Sequence, residues 1–312
     1  MSNMESRPLV VIAGPTGIGK TDAAHLLAAE MNGEIISADS RQIYRYLDIG
    51  TAKPSLEFRG QIPYHMIDIV DPNEDFSVAD FKQQAEMIID QIHLRGKLPF
   101  LVGGTGLYIK SIVSGLFTSP APLPLFRQQL REEASRFGIN HLYQRLIEVD
   151  PETASRISGN DLRRIIRALE VYHQTGKPIS FLQRSATITK DYSFIMICLN
   201  QDRQQLYARI EQRVDRMLEM GWVEEVRGLL ENGYSTDLHL TSMEALGYQQ
   251  IIKYLSCMYS LQEAAAEIKQ SSRQFAKRQL TWFRADSRYN WFEHENIAGI
   301  REYILNRNDT RS

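Results

Sequence analysis

The sequence has little cysteine and no long apolar run. Its two cysteines, Cys198 and Cys257, lie too far apart for a CxxC metal site, and reducing cytosol disfavours a disulfide between them. We therefore expect both to be buried as small apolar residues. The longest apolar runs, such as Pro8–Ala13 and Phe194–Leu199, have the length of strands. They fall short of the roughly 18 residues that a membrane span needs, so we expect no transmembrane helix.

An excess of charge of one sign is also missing. The 36 Lys and Arg residues nearly balance the 38 Asp and Glu residues, which gives a net charge of −2. This excludes a positive field over the whole molecule that would attract nucleic acid. Residues 121–190 are locally basic, with four more Lys and Arg than Asp and Glu, which permits contact with a polyanion. The N-terminus lacks the apolar stretch of a signal peptide, so we expect a cytoplasmic protein with no membrane contact.

Strand-like and helix-like segments alternate along residues 1–120. The expected strands are Pro8–Gly14, Glu34–Ala38, Ile62–Val70 and Pro99–Val102, and the expected helices are Lys20–Met31 and Val78–Arg95. Such alternation is typical of an α/β fold, a parallel sheet flanked by helices. Two helix starts carry capping-box spacing, with Ser77 three residues before Asp80 and Ser260 three residues before Glu263.

The alternation stops at a proline-rich segment, Ser119–Pro124, which we interpret as a linker. The following residues, 125–184, show helical periodicity with few strand signals. A strand at Phe194–Leu199 and long helices at Arg203–Glu231 and Ser260–Arg284 then return the chain to the first pattern. The sequence therefore predicts a core domain made of residues 1–120 and 191–312, with a small all-helical insertion domain at 121–190.

A phosphate-binding motif stands between the first expected strand and helix. The residues that match GxxxxGK[ST] are Gly14, Pro15, Thr16, Gly17, Ile18, Gly19, Lys20 and Thr21. Glycines let successive amide N–H groups point at phosphate oxygens, Lys20 adds a positive charge, and the Thr21 hydroxyl can bind Mg²⁺. This P-loop is typical of nucleotide-binding and ATP-binding proteins such as kinases and hydrolases.

The sequences that follow the next strands fit a kinase or hydrolase poorly. The strand Pro99–Val102 runs into Gly-Gly-Thr-Gly, so that the Thr105 hydroxyl stands where such enzymes commonly have an Asp that helps hold Mg²⁺. This favours close approach of backbone and hydroxyl to a diphosphate, although Thr105 could also be an ordinary helix cap. Asp39 follows the strand Glu34–Ala38 at the edge where α/β sheets bind ligands, as a base or as a turn residue.

Two helices carry further candidates. Arg213 lies at the edge of the apolar face formed by Leu206, Ile210, Val214 and Met217, where a diphosphate, a salt bridge or solvent could satisfy it. In the last long helix, Phe275, Gln279, Trp282 and Phe283 share a face that we expect to meet the core. The opposite stripe is basic and suits RNA phosphates, or is simply solvated; it comprises Arg273, Lys277 and Arg284.

Taken in order, six blocks resemble the bacterial tRNA dimethylallyltransferases, the IPP transferase family. They are GPTGIGKT, ISADSRQIYRYLDIGTAKP, LVGGTGLYIKSIVSGL, DLRRIIRALEVYHQTGKP, RIEQRVDRML and RQFAKRQLTWFR. The resemblance covers residues 9–285 and implies a P-loop NTPase-like sheet. Tyr46 departs from it, since glycine is common there in the family, which affects the expected shape of that loop.

The resemblance implies a monomeric enzyme that moves a dimethylallyl group from dimethylallyl diphosphate to N6 of adenosine 37 in tRNAs reading codons that begin with U. It implies that Asp39 takes the amine proton. Thr105 and Arg213 would stabilise the leaving diphosphate, with the P-loop holding it and Thr21 binding Mg²⁺. The residues implied to contact the tRNA are Asp39, Ser40, Arg41, Gln42, Thr105, Arg127, Arg163, Arg164, Arg167, Arg273, Lys277, Gln279 and Arg284. From the residues alone, a small-metabolite kinase and an RNA-binding nucleotide switch remain alternatives.

Overall fold

The computed structural model describes residues 7–117, 120–184, 191–235 and 240–309. The chain divides into two compact units, one formed by Met1–Ser111 with Lys190–Ser312 and the other by Ile112–Thr189. The second unit begins nine residues before the boundary expected at residue 121, because the helix Gly106–Val113 ends within it. Ser119, the first residue of the expected linker, lies outside the described residues.

The first unit contains a six-stranded sheet in the order β3-β2-β4-β1-β5-β6, and all of its strand pairs are parallel. The strands are β1 Pro8–Ala13, β2 Gly33–Ser37, β3 Tyr64–His65, β4 Leu98–Gly103, β5 Ser193–Asn200 and β6 Asn290–Glu293. The helices around it are α1 Lys20–Glu30, α2 Leu56–Gln61, α3 Val78–Leu94, α4 Gly106–Val113, α10 Arg203–Glu219, α11 Trp222–Glu231, α12 Tyr248–Leu255, α13 Leu261–Arg284 and α14 Ile297–Asp309. The expected parallel α/β sheet is confirmed.

The central strand is apolar because helices cover both faces of the sheet. In β1, Leu9, Val10, Val11 and Ile12 have no exposed surface, and the strand pairs with β4 on one side and β5 on the other. The carboxyl ends of these three strands therefore lie side by side, followed by the P-loop, the glycine turn after β4 and the segment before α10. This edge is where an open parallel sheet binds its ligands.

The second unit is helical, as expected. Its helices are α5 Pro124–Phe137, α6 Ile139–Val149, α7 Pro151–Arg156, α8 Leu162–Thr175 and α9 Ile179–Arg184. They enclose an apolar cluster that includes Leu130, Leu142, Leu146, Ile165 and Val171, each at most 1% exposed. Alternation of these buried residues with charged ones at a helical period accounts for the expected helices.

Both expected capping boxes are present. The hydroxyl of Ser77 accepts from the amide of Asp80, whose carboxylate accepts from the Ser77 amide, at the start of α3. The same pair of bonds joins Ser260 and Glu263 at the start of α13. Each satisfies amide groups that the first helical turn leaves unpaired.

Two expected elements are wrong in extent. The expected strand Ile62–Val70 is reduced to Tyr64–His65, because Met66 and Asp68 adopt positive φ angles of 63° and 57° that end an extended run. The single expected helix Arg203–Glu231 is two helices, α10 and α11, separated at Gly221 with φ of 98°. The edge strand β6 was not expected, since its four residues carry no alternating pattern.

One cysteine expectation is also wrong. Cys198 is buried in β5 as expected, but Cys257 is exposed, in a turn after α12 with φ of 57°.

Tyr46 also has a positive φ, of 67°, in the region that favours glycine, and its ring stacks on Tyr234 with 6.5 Å between centroids. None of the helices in the described ranges is long and apolar enough to cross a membrane.

A buried carboxylate ties β2 to the segment before β4. Glu34, 3% exposed, accepts from Arg95 at 2.6 Å, from His65 at 2.7 Å and lies 3.1 Å from Lys97. Burial alone would raise its pKa, but the three donors outweigh this and lower the pKa from 4.5 to about 2. Because the pKa is lower in the folded state, the stabilisation is complete above the ordinary pKa and is lost as the pH falls from about 4.5 towards 2.

We predict that Glu34→Gln lowers the free energy of unfolding by about 2 kcal/mol at pH 7, because it removes the negative charge that Arg95 and Lys97 pair with. Urea denaturation monitored by circular dichroism at pH 7 and pH 3.5 checks this, and the difference from wild type should shrink at the lower pH. Glu30→Gln is the matched control, since Glu30 makes one exposed ion pair with Arg301. An equal difference at both pH values would contradict the prediction.

Candidate active site

The P-loop between β1 and α1 forms a cradle of amides. Gly14, Gly17 and Gly19 adopt positive φ angles of 152°, 80° and 92°, which turn the chain sharply before the first helical turn. Gly19 is the N-cap of α1, and because it has no side chain it leaves the first amides of the helix uncapped. The first amides of α1 therefore point outwards with the positive end of the helix, a suitable geometry for an anion.

Lys20 lies at the base of this cradle. Its Nζ donates to the carbonyl oxygen of Pro15 at 2.8 Å, and the side chain is half-buried. Burial and the nearby Arg213 lower the pKa of Lys20 from 10.5 to about 8, although Asp39 acts in the opposite direction. An anionic ligand stabilises a cation that has lost part of its solvation in this way.

The P-loop borders a cavity of about 1020 Å³, called cavity 1 here. Gly17, Gly19, Lys20 and Thr21 line one wall, and a face of α10 lines another. The residues of α10 in this wall are Arg209, Gln212, Arg213, Arg216 and Met217. Other lining residues include Asp22, Ile49, Ala52, Lys53, Leu56, Phe58, Arg59 and Met220. The cavity thus combines a cationic side with an apolar one, which suits an anion that bears an apolar tail.

A second cavity of about 320 Å³, called cavity 2, contains the candidate base. The Asp39 Oδ1 accepts from the amides of Arg41 at 2.9 Å and Gln42 at 3.4 Å. The Thr105 Oγ1 accepts from the amide of Ser40 at 3.0 Å. The structure therefore brings Asp39, Ser40, Arg41 and Thr105 together around cavity 2, and Asp39 is also a turn residue.

Glycine at the end of β4 makes this approach possible. A Cβ atom at Gly103 would lie 2.1 Å from the carbonyl oxygen of Ala38, and the Thr105 amide donates to that same oxygen at 3.1 Å. No larger residue fits at this position without moving β2 away from β4. The Gly-Gly-Thr-Gly segment thus sets the distance between Thr105 and Asp39.

Gln279 joins the P-loop to this turn. Its Oε1 accepts from the Thr16 amide at 2.8 Å, and its Nε2 donates to the carbonyl oxygen of Gly104 at 2.9 Å. Both ends of the amide are used, and the residue is only 7% exposed. Gln42 is similarly committed, since it accepts from the Ser37 hydroxyl and donates to Thr51 and Ala52 carbonyl oxygens.

Arg213 lies where the two cavities adjoin. Arg213 and Met217 line both cavities, on the face of α10 whose Leu206, Ile210 and Val214 are buried as expected. Burial lowers the pKa of Arg213, and Asp39 and Asp22 oppose this. Arg213 is half-buried. Its charge is near enough to Lys20 to lower the pKa of that amine.

The expected core face of α13 is partly wrong. Phe283 and Gln279 are buried, but Phe275 and Trp282 are 39% and 44% exposed. Phe275 lines cavity 2, and Trp282 packs on Gly106, where a Cβ atom would lie 2.1 Å from its Nε1. The apolar stripe is therefore divided between the core, which Phe283 enters, and the candidate site, where Phe275 lies.

The basic stripe of α13 is divided. Lys277 and Arg284 are exposed, and the Arg284 guanidinium lies 5.9 Å from the centre of the Trp291 ring. Arg273 is paired with Glu211 of α10. Arg278, which sequence analysis missed, lines cavity 2 and lies 5.8 Å from the centre of the Phe275 ring. The helical period could have indicated Arg278, because a separation of three residues places it about 60° from Phe275 on the helix.

The candidates in the second unit lie along α5 and α8. Arg127 and Arg167 both pair with the fully buried Glu170, which also accepts from the Leu123 amide at 2.8 Å. Burial opposes ionisation of Glu170, but Arg127, Leu123 and Arg167 lower its pKa overall. Arg163 and Arg164 are exposed, at the start of α8.

Comparison with known proteins agrees with this arrangement. The family model described as IPP transferase matches residues 42–286, and the model described as isopentenyl transferase matches residues 7–61. The tRNA dimethylallyltransferase of Caldanaerobacter subterraneus is 50% identical over 304 residues, which cover 95% of this chain and 96% of the relative. The chain belongs to the IPP transferase family.

Other relatives of this prenyltransferase agree with it over more than nine tenths of the chain. The tRNA dimethylallyltransferase of Symbiobacterium thermophilum is 50% identical over 287 residues, covering 92% of this chain and 89% of the relative. The solved tRNA isopentenylpyrophosphate transferase of Bacillus halodurans has a TM-score of 0.73 and 39% identity, covering 98% of each chain. A eukaryotic dimethylallyltransferase acting on tRNA has a TM-score of 0.80 and 29% identity, covering 97% of this chain and 77% of that one. The expected P-loop NTPase-like fold is confirmed.

We predict that Lys20→Met weakens binding of inorganic diphosphate by tenfold or more at pH 7, roughly 1.4 kcal/mol. Because the Lys20 pKa is about 8, the wild-type affinity should approach that of the variant as the pH rises above 8 and the amine loses its proton. Isothermal titration calorimetry from pH 7 to pH 9.5 measures both proteins, and the ligand's own ionisation is common to them. Lys277→Met is the control, and a gap independent of pH would contradict the prediction.

Proposed function

We propose that this IPP transferase moves the dimethylallyl group of dimethylallyl diphosphate to N6 of adenosine 37 in tRNAs that read codons beginning with U, and releases diphosphate. The observation that carries this proposal is the position of Arg213. It lines both the cavity that contains the P-loop and the cavity that contains Asp39. A donor held on one side and an amine held on the other would meet at this residue.

The donor side suits a diphosphate ester. Amides at the start of α1, Lys20 and Arg213 supply positive charge where the leaving group gains negative charge, and such fixed groups stabilise a transition state well. The apolar part of the wall, which includes Ile49, Ala52 and Met217, suits a short prenyl tail. The similarity to the tRNA dimethylallyltransferases of Caldanaerobacter subterraneus and Symbiobacterium thermophilum supports this choice of donor.

The same side fits Mg²⁺. Thr21 and Asp22 line cavity 1 beside the P-loop, and Mg²⁺ commonly takes one or two protein oxygens and fills the remaining positions with phosphate oxygens and water. We propose that Thr21 holds the ion. When bound, Mg²⁺ neutralises charge on the diphosphate oxygens.

The acceptor side suits an adenine amine. Two amides donate to Oδ1 of Asp39 and fix the orientation of the carboxylate. The other oxygen, Oδ2, can then accept a proton from N6 as the carbon–nitrogen bond forms. The Thr105 hydroxyl accepts from the amide of Ser40, the residue that follows Asp39. Thr105 lines cavity 2 but not cavity 1. This supports a role for Thr105 with the acceptor base. Arg213 and the P-loop would then stabilise the leaving diphosphate.

An adenine must leave its stack to reach such a cavity. Aromatic and guanidinium groups that stack on unpaired bases are common in RNA recognition, and Phe275 and Arg278 line cavity 2 together. We propose that RNA phosphates contact four exposed basic residues, Lys277, Arg284, Arg163 and Arg164. We also propose that the enzyme is active as a monomer. Gln42 and Gln279 act from inside the protein, by holding the loops that line the site.

We predict that the wild-type protein incorporates label from dimethylallyl diphosphate into unmodified tRNA in the presence of Mg²⁺, and that Asp39→Asn reduces the rate by about 100-fold or more. The asparagine keeps the turn but is no base. Nucleoside analysis of the digested RNA by mass spectrometry identifies the product, and a tRNA with guanosine at position 37 should remain unlabelled. No label from a folded protein that binds diphosphate would refute the proposal.

Asp202→Asn provides a matched control. The Asp202 Oδ1 accepts from the amides of Gln204 at 2.9 Å and Gln205 at 3.1 Å, the same pattern of bonds that Asp39 makes. Its substitution should leave the rate and the affinity for diphosphate unchanged. A similar small effect in both variants would show that Asp39 is only a turn residue.

A further inference from the structure

The loop from Asp48 to Lys53 is held by one carboxylate of α11. The Glu225 Oε2 accepts from the amides of Asp48 at 2.9 Å and Ile49 at 2.6 Å, and Oε1 accepts from the amide of Gly50 at 3.2 Å. Three consecutive amides therefore converge on one side chain. Hydrogen bonds to a charged acceptor are about twice as strong as neutral ones, so this carboxylate fixes the backbone of the loop.

Packing holds the same loop from behind. The Glu225 Oε1 also accepts from the Tyr248 hydroxyl at 2.7 Å. Gly50 lies against Trp222, since a Cβ atom at this glycine would be 2.2 Å from the Trp222 Nε1. Trp222 and Tyr248 are 1% and 0% exposed, and their rings meet edge to face with 5.8 Å between centroids. The loop is therefore seated on a rigid surface.

The loop separates the two cavities. Asp48, Ile49, Ala52 and Lys53 line cavity 1, whereas Gly50 and Thr51 line cavity 2. On the opposite side, Arg213 and Met217 of α10 line both. We call residues 48–53 the partition, because the gap between this loop and α10 is where the two cavities adjoin.

We propose that Glu225 is a positioning residue for prenyl transfer, which holds the partition so that the donor carbon faces the acceptor amine and water stays out of the gap. This inference rests on the proposed function. Glu225 lines neither cavity, so it acts through the three amides that it binds. Placement of reacting groups is sensitive, since a shift of 1 Å can reduce a rate about 100-fold.

Two reactions of the donor compete at this gap. In transfer, the bond between the allylic carbon and the diphosphate oxygen breaks, N6 of adenine bonds to that carbon, and the N6 proton passes to Asp39. In hydrolysis the same bond breaks, but a water oxygen bonds to the carbon, which gives dimethylallyl alcohol, diphosphate and a proton. A displaced partition slows the first reaction and admits the second, because closure of a site excludes water.

The experiment measures diphosphate released and prenylated tRNA formed in the same reaction. Wild type should give one diphosphate for each prenyl group transferred. We predict that Glu225→Ala lowers kcat by about 10- to 100-fold, changes both KM values less, and releases more than one diphosphate per prenylated tRNA. Glu225→Gln should be affected less, since its carbonyl oxygen still accepts from part of the set. A purely structural role would lower the amount of active protein but leave the product ratio at one.

Glu224→Gln is the matched control on the same helix, because Glu224 is exposed and pairs with Arg227. Tyr248→Phe removes one of the four bonds to Glu225, and a smaller change of the product ratio in the same direction is expected. It keeps the test valid if Glu225→Ala fails to fold, as judged by circular dichroism. Wild-type kcat and a ratio of one in folded Glu225 and Tyr248 variants would overturn the inference. Failure of the wild type to prenylate tRNA would instead overturn the proposed function.

Discussion

The site depends on the bridge that Gln279 makes between the P-loop and the turn after β4. One amide side chain of α13 accepts from Thr16 and donates to Gly104, at the edge of the sheet where β1 and β4 end next to each other. Because both ends of the amide are satisfied inside the protein, the bridge has one geometry. It fixes the phosphate cradle relative to Thr105, and Thr105 in turn is bonded to the segment that contains Asp39. The donor side and the acceptor side of the site are thereby joined through a single residue, which explains why a residue that the family resemblance assigned to RNA is buried.

Electrostatics at this edge is local. The net charge of the chain is −2, so its overall field does not recruit a polyanion. Lys20 and Arg213 instead both line cavity 1, and burial lowers the pKa of both. Two neighbouring cations repel each other and cost free energy until an anion lies between them. A site of this kind favours a ligand with several negative oxygens over a neutral one.

The sequence predicted those features that are encoded within a few residues. The P-loop, the two capping boxes and the parallel sheet depend on local spacing, and all of them are present. The exposure of Phe275 and Trp282 was not predictable in this way, because helical periodicity shows that an apolar face exists but does not show whether it meets the core or a cavity. The break between α10 and α11 at Gly221 was missed for a related reason, since the apolar pattern continues through the glycine. Contacts such as Glu225 with Asp48 join residues 177 apart in sequence, and no local pattern indicates them.

The partition shows how distant residues share one task. Gln42 donates to the carbonyl oxygens of Thr51 and Ala52, Lys53 binds Asp48 and the Tyr44 carbonyl oxygen, and Glu225 takes the amides at the other end of the loop. Donors and acceptors of the backbone are thus satisfied from opposite sides, and the loop needs no regular secondary structure to be rigid. Since residues from this one loop line both cavities, a small movement would alter donor and acceptor positions together. Rigidity of the loop is therefore a requirement of a site in which two substrates approach from different sides and must meet at one carbon atom.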